Sequence, residues 1–196
     1  MGFRKFFNWY SLKLETNPLL TKSLTCGALN MVGDTLSQTL EKRVKPEKRE
    51  KGFDFKRNLI FGAIGSFYIA PLLHVHYSKF LPYVVPDGTK YGALKKLAID
   101  QSAFASFITT GFFIIINVVE GKGAQKGIDD LKQKYWTTMV INWKIWIPAN
   151  YMNFVLIPNK YQVLFANFIQ IFYNTALSFI HNSDDIGKKE DQPKQA

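Results

Sequence analysis

Three long stretches of the chain contain no Asp, Glu, Lys or Arg: residues 58–78, 101–119 and 161–183. A helix rises about 1.5 Å per residue, so about 20 residues cross the roughly 30 Å hydrocarbon layer of a bilayer. Residues 108–119 also lack the charged face that a surface helix of a soluble protein presents to water. A soluble bundle of this size has too little other mass to cover several such helices, so the pattern predicts an integral membrane protein.

Two weaker apolar segments surround single charged residues. Residues 22–40 are interrupted by Asp34, and residues 139–157 carry Lys144 near their start, where its side chain could reach the headgroups. With the three charge-free stretches they predict an all-α integral membrane bundle of four or five transmembrane segments. The predicted segments lie at about 18–40, 58–80, 94–119, 138–157 and 161–181. We expect one multi-pass membrane domain over residues 1–183, followed by a polar, disordered tail at 184–196.

The segments outside the spans show two further patterns. Near the amino terminus, aromatic and aliphatic side chains between Phe3 and Leu14 share one helical face, which predicts an interfacial helix in the headgroup plane. Gly121, Gly123 and Gly127 predict a break after the third span, followed by a short surface helix near 128–136.

The net charge of +10 over 196 residues would suit an anionic partner. Much of the positive charge lies in residues 41–57, where it is mixed with four acidic residues and lacks the interleaved aromatic side chains of a single-strand nucleic-acid platform. This composition favours a loop that flanks a membrane, so the lipid bilayer is the expected partner and nucleic acid is not.

The sequence contains no pattern typical of catalysis or of metal or cofactor binding. Cys26 is the only cysteine, and we find no nucleophile elbow, no phosphate-binding glycine loop and no paired metal-ligand motif. His74 and His76 are two residues apart, so on a helix they point to different sides. Asp100 lies close to the start of the third span, where headgroup water and the positive helix end favour a carboxylate. We therefore expect no catalytic, metal or cofactor site and no enzymatic activity.

Uncharged polar residues recur along single faces of the predicted spans. In the first span Cys26, Asn30, Asp34 and Gln38 follow one another at intervals of four residues. Two interpretations remain open: the polar side chains form hydrogen bonds between packed helices, or they line a water-filled path. An ionised Asp34 in the bilayer centre would cost about 2.5–3.5 kcal/mol on insertion scales, so it must face protein or water.

The order of several short motifs resembles one known family, the Mpv-seventeen / peroxisomal membrane protein of 22 kDa family, over about residues 17–180. The matching positions are Gly33-Asp34 with Gln38, Asp100-Gln101, Asn142-Trp143, Trp146, Asn153-Phe154, Pro158, and Asn174 with Ser178. The chain departs from the family pattern at Ile147, which separates Trp146 from Pro148. The resemblance implies a four-span bundle in the mitochondrial inner membrane or the peroxisomal membrane, with a pore-like function.

Two hypotheses about function follow. The first is a channel for small hydrophilic metabolites or ions, with candidate pore-lining residues Asn30, Asp34, Gln38, Asn153 and Asn174. The second is a non-conducting membrane scaffold, in which the same side chains serve helix packing and the basic loop docks a partner or anionic lipid. Small solutes are the expected ligands of the first, and assembly into a homo-oligomer is compatible with both.

Overall fold

The computed structural model describes residues 2–44 and 52–173, and all regular secondary structure in these ranges is helical. The prediction of an all-α chain is therefore confirmed for the described residues. They form six helices: α1 Phe3–Thr16, α2 Pro18–Val44, α3 Phe55–Val84, α4 Gly92–Val119, α5 Ala124–Leu156 and α6 162–173.

The helix ends follow local rules. Pro18 opens α2, where the missing N–H of proline is not needed. Asp54 precedes α3, and its side chain accepts a hydrogen bond from the backbone N–H of Arg57 at 2.9 Å. Gly121 and Gly123 adopt φ values of 79° and 85°, so the reversal between α4 and α5 uses the left-handed backbone region that glycine tolerates.

Three π-helical turns interrupt the long helices. In α3 they cover Gly65–Ile69 and His76–Phe80, and in α4 one covers Asp100–Phe104. Such turns add a residue to the helical repeat and are frequent at functional sites. Both His76 and Asp100 begin one of them.

Close backbone approach holds neighbouring helices together. α2 and α3 pack antiparallel, and a Cβ atom at Gly27 would lie 3.0 Å from the carbonyl oxygen of Gly62. A Cβ atom at Gly127 would lie 2.7 Å from the carbonyl oxygen of Phe113, so α5 crosses α4 with almost no space between them. The prediction of a separate surface helix near 128–136 is therefore wrong. Gly127 makes a close contact and does not break the helix, so the segment is the first part of the 33-residue α5.

The apolar surface of the described helices faces mainly outward. A small core of Leu73, Tyr77, Leu81, Val163 and Ala166 lies between α3 and α6. Both α3 and α4 are long and apolar enough to cross a membrane. In the most apolar 18-residue stretch of each helix, only 28% of α3 and 11% of α4 is buried within the described structure. A core helix of a soluble protein would be mostly buried, so this exposure fits a bilayer.

Candidate functional site: buried polar clusters

Asp34 lies at the centre of a charged cluster between α2 and α3, which we call the acidic cluster: Asp34, Gln38, Glu41, Arg57 and Asn58. Asp34 is 1% exposed, and its Oδ1 atom lies 2.8 Å from Arg57 Nε in an ion pair. The Arg57 guanidinium also donates two hydrogen bonds to the Glu41 carboxylate, at 3.0 and 3.2 Å. Two carboxylates thus share one guanidinium.

Neutral side chains complete the acidic cluster and fix the start of α3. Gln38 Nε2 donates to Asp34 Oδ2 at 2.8 Å and to the carbonyl oxygen of Asp54 at 3.1 Å, while Gln38 Oε1 accepts from the Asp54 N–H at 2.8 Å. Asn58 Nδ2 donates to Asp34 Oδ2 at 3.2 Å and to the carbonyl oxygen of Met31 at 2.8 Å. Both oxygens of Asp34 therefore face protein groups of α3.

A second cluster, the histidine cluster, joins α3, α4 and α5 through His76, Asp100, Gln101, Asn142 and Asn150. His76 Nε2 lies 3.0 Å from Asp100 Oδ1. Asp100 Oδ2 accepts hydrogen bonds from Asn150 Nδ2 and from Gln101 Nε2, each at 2.7 Å. Asn142 Nδ2 donates to Gln101 Oε1 at 3.4 Å.

The position of Asp100 differs from the expectation that headgroup water surrounds it. Asp100 is 2% exposed, because α4 begins eight residues earlier, at Gly92, and because α3 and α5 pack around the π-helical turn that Asp100 opens. Sequence reasoning also missed His76, which is 4% exposed and stacks on Phe104 with ring centroids 3.5 Å apart. Its partner is 24 residues away, and no local signal marks the pair.

A third polar group lies where α5 turns into α6. Asn153 is 0% exposed, and its Nδ2 donates to the carbonyl oxygen of Gln162 at 3.3 Å. Gln162 Nε2 donates to Asn159 Oδ1 at 3.1 Å, which ties the short turn after Pro158 to α6. Asn153 Oδ1 and Asn167 Nδ2 are buried polar atoms that have no hydrogen-bond partner within the described residues.

The candidate pore-lining residues therefore fall in different places. Asp34 and Gln38 share the acidic cluster, and Asn153 lies in the third group. Asn30 bonds back to its own helix, with Nδ2 2.9 Å from the carbonyl oxygen of Cys26. Asn174 lies outside the described residues. Within the described ranges, no hydrogen bond connects the acidic cluster to Asn153.

The fold brings some of the family-motif positions into contact with one another. Gly33 is buried on α2, next to the acidic cluster. Asp100, Gln101 and Asn142 meet in the histidine cluster, and Trp143 Nε1 donates to the carbonyl oxygen of Gln101 at 3.1 Å. Trp146 and Phe154 pack against the small core, whereas Ser178 lies outside the described residues.

The structure also contains an apolar groove of about 360 Å³ between α2 and α6. It is lined by Leu36, Thr39, Leu40, Arg43, Ile171 and Phe172. None of the candidate pore-lining residues belongs to it. Across residues 2–44 and 52–173, no three His, Cys, Asp or Glu side chains are grouped closely enough to hold a metal ion.

The chain is similar to known proteins over most of its length. The family model described as Mpv17 / PMP22 family matches residues 117–178. The chain is 36% identical to PXMP2/4 family protein 2 of Dictyostelium discoideum, over 93% of this chain and 94% of that protein. It is 30% identical to peroxisomal membrane protein 2 of Bos taurus, over 89% of each chain. It is also 30% identical to the mitochondrial inner membrane protein Mpv17 of Mus musculus, over 87% of this chain and 94% of that protein.

No solved structure matches the chain significantly. The resemblance seen in the sequence motifs is confirmed by the relatives, which match along nearly the whole chain. Two of them are named as membrane proteins, one of the peroxisome and one of the mitochondrial inner membrane. This chain belongs to the Mpv17 / PMP22 family of mitochondrial and peroxisomal membrane proteins.

Proposed function

We propose that the protein crosses its membrane four times, through α2 to α5, and forms a pore for small hydrophilic metabolites or ions. The observation that carries the proposal is the acidic cluster, which places the buried carboxylates of Asp34 and Glu41 and the partly buried guanidinium of Arg57 between helices whose outer surfaces are apolar. Neutral hydrogen-bonding residues would hold two helices together at a lower desolvation cost. A charged cluster between these helices is therefore better explained by a path for water and solutes than by helix packing alone.

Two further features support a polar path. Asn153 Oδ1 and Asn167 Nδ2 are buried without a protein partner among the described residues, and ordered water normally satisfies such atoms. The acidic cluster contains the carboxylates of Asp34 and Glu41, so a path along it would favour cations. In this arrangement Asp34 forms an ion pair with Arg57. Conduction past Asp34 therefore requires α2 and α3 to separate around that ion pair.

Planar-bilayer recording tests the pore. We expect the reconstituted protein to conduct with a preference for small cations, and Asp34→Asn to reduce that preference as a measurable shift in reversal potential in asymmetric salt. Asp87→Asn is the matched control, because it removes the same charge from a side chain that is 85% exposed on the loop before α4. Absence of conductance, or the same shift in both variants, would contradict the proposal.

A scaffold without conductance is the second candidate, and a specific observation favours it. Gln38 and Asn58 donate to one oxygen of Asp34 while Arg57 pairs with the other, which is what a packing role requires. In this case Asp34→Asn lowers stability in detergent without a transport phenotype. Neutralising the basic residues Lys42, Arg43, Lys48 and Arg49 would then abolish co-sedimentation with anionic vesicles, whereas a pore would lose little binding.

The partners follow from the same proposal. The bilayer surrounds the exposed apolar faces, small solutes are the permeants, and a second copy of the chain is the natural partner if one bundle is too narrow to conduct. Neither the pore nor the scaffold requires a catalytic role. Cross-linking in the membrane at low protein density would distinguish single chains from an assembly.

A further inference from the structure

Lys22 is a buried cation near the start of α2. The residue is 3% exposed, and its Nζ atom lies 2.9 Å from Ser78 Oγ and 3.2 Å from His74 Nδ1, both on α3. Within the part of the chain that the structure describes, no carboxylate lies within ion-pair distance of Lys22. Its contacts are with groups that do not supply a negative charge.

This arrangement is unusual because an ammonium group removed from water needs a compensating charge. Without one, burial of the charge is unfavourable, and two neutral hydrogen bonds recover only part of the lost hydration energy. Arg57, at the other end of the same pair of helices, has two carboxylates for its one positive charge. The missing negative charge at Lys22 is therefore what a bound anion would supply.

The hydrogen-bonding inventory of the three side chains also points to an anion. Lys22 has three donor hydrogens, and two of them are used. His74 accepts from Lys22 through Nδ1, so in the neutral ring the hydrogen is on Nε2, which can donate outward. Ser78 accepts from Lys22, which leaves its hydroxyl hydrogen available to a further acceptor. The unused groups are all donors, and a ligand with several acceptor oxygens satisfies them together.

The site is accessible from one side. His74 and Ser78 are one turn apart on α3 and are both partly exposed, while Lys22 lies beneath them. Lys79, the next residue along α3, is exposed and adds positive charge at the same edge. An anion would contact the two α3 side chains directly and would be held from below by the charge of Lys22.

The location favours phosphate over other anions. Lys22 is near the beginning of α2, and His74 and Ser78 are in the second half of α3, so the site is towards one end of the antiparallel pair. α1 packs at the same end, where Tyr10 and Thr25 share a hydrogen bond of 3.0 Å. The exposed aromatic face of α1 suits the headgroup region, where phosphate is abundant.

We propose that Lys22, His74 and Ser78 form a binding site for a phosphate group, carried either by a phospholipid headgroup or by a free phosphorylated solute. The site is independent of the pore proposal, because it does not involve the acidic cluster and is present in a scaffold as well. Charge-assisted hydrogen bonds to an oxyanion are about twice as strong as neutral ones, so Lys22 contributes most of the affinity.

Thermal unfolding of the full-length protein in maltoside micelles, which contain no phosphate, tests the site. Inorganic phosphate and micelle-incorporated phosphatidylglycerol are titrated separately at constant ionic strength. We expect at least one of them to raise the Tm of the wild-type protein, and Lys22→Gln to weaken the apparent affinity by about tenfold or more. Lys132→Gln is the matched control, since it removes the same charge from an exposed position on α5 and should bind like the wild type.

The two titrations distinguish the sources of phosphate. Stabilisation by inorganic phosphate identifies a site for free phosphate or a phosphorylated solute, and stabilisation by the lipid alone identifies a headgroup site. Lys22→Arg keeps the charge and should retain binding, which separates a lost ligand from a misfolded variant. Equal titrations for the wild type and Lys22→Gln would overturn the proposal.

The ligand-free proteins provide an independent measurement. Because Lys22→Gln removes a buried charge that has no counter-charge, it should unfold at the same temperature as the phosphate-free wild type or at a higher one. A large loss of stability in that variant would show that Lys22 serves the fold, and would also overturn the proposal.

Discussion

At the residue scale, the acidic cluster has an uneven ratio of charges. Arg57 pairs with Asp34 at 2.8 Å and with Glu41 at 3.0 Å, and both carboxylates are almost completely buried. Removing the guanidinium leaves the buried carboxylate of Asp34 without its cation. Removing the Asp34 charge leaves the ion pair of Arg57 and Glu41 in place. The two partners of one ion pair are therefore not equivalent in their effect on stability.

This asymmetry predicts that Arg57→Gln destabilises the protein more than Asp34→Asn. Breaking a buried pair so that charge is left uncompensated costs about 3–5 kcal/mol, whereas loss of charge-assisted hydrogen bonds costs about 1.5–3 kcal/mol. The free energy of unfolding in mixed detergent micelles measures the difference. The surface pair Asp87–Lys96, whose carboxylate is 85% exposed, provides the control, since its loss should change stability by about 0–1 kcal/mol. Equal losses for Arg57→Gln and Asp34→Asn would contradict the charge argument.

At the scale of helices, the fold depends on glycines that allow close crossing. Gly127 meets the backbone of α4, with Phe113 O and Ile114 Cα at 2.7 and 2.8 Å from a hypothetical Cβ atom. Gly27 meets the hydroxyl of Ser66, which can rotate away, and the carbonyl oxygen of Gly62 at 3.0 Å. Backbone atoms cannot move without shifting a helix, so the first crossing is less tolerant than the second.

We therefore expect Gly127→Ala to destabilise the protein by about 1–3 kcal/mol, as overpacking typically does. Intrinsic helix propensity acts in the opposite direction, because alanine is favoured over glycine by about 1 kcal/mol within a helix. Gly27→Ala is the comparison and should cost less. Thermal unfolding of the two variants decides the question, and a stabilised Gly127→Ala variant would show that α4 and α5 are not in backbone contact.

A polar contact joins the last turn of α4 to the start of α5, where Asp130 lies outside the predicted spans. Asp130 Oδ1 accepts from Lys126 Nζ at 2.6 Å, and Asp130 Oδ2 accepts from Asn117 Nδ2 at 3.3 Å. Burial by itself would raise the pKa of Asp130. Three residues outweigh the effect of burial: Lys126 through its hydrogen bond and charge, Asn117 through its hydrogen bond, and Lys134 through its charge. Together they hold the pKa of Asp130 below 3.8.

The lowered pKa of Asp130 gives a pH dependence with a definite sign. A carboxyl whose pKa is lower in the folded than in the unfolded state stabilises the fold above its unfolded pKa of about 3.8. That contribution is lost as the pH falls through the folded pKa. We expect Asp130→Asn to reduce the loss of Tm between pH 5 and pH 3. Parallel Tm profiles for the variant and the wild type would contradict this assignment.

At the scale of the whole molecule, the exterior is apolar and the polar groups face inward. Large side chains on α3 such as Phe55, Leu59 and Phe67 are 63–84% exposed, whereas Asn58 on the same helix is 6% exposed. This is the reverse of the arrangement in a soluble bundle. In water these apolar faces would cause the protein to aggregate, whereas their contact with lipid carries no such free-energy cost.

If α3 and α4 both cross the bilayer, the loops before and after α4 lie on opposite sides. The single native cysteine, Cys26, is 0% exposed, so introduced cysteines can be labelled selectively. We expect Asp87→Cys and Lys122→Cys to react with a membrane-impermeant maleimide from opposite faces of sealed, uniformly oriented vesicles. Labelling of both from the same face would mean that α4 does not span the bilayer.

The sequence by itself determined the class of the protein and its helical character. Charge-free stretches and helical spacing are local properties, so the helical fold, the membrane environment and the buried face from Cys26 to Gln38 could be predicted from them. The ordered motifs also identified the family. Asp34 was expected to face protein or water because its charge is costly in lipid, and it does face protein.

Only the tertiary structure decided which polar groups meet. Arg57 pairs with Asp34 across 23 positions, His76 with Asp100 across 24, and Lys22 bonds to Ser78 across 56. These pairs depend on how the helices are rotated and shifted against one another, which is set by glycine contacts and π-helical turns. The helix pattern specifies which face is polar, but the partner on the opposite helix is selected by packing over the whole bundle.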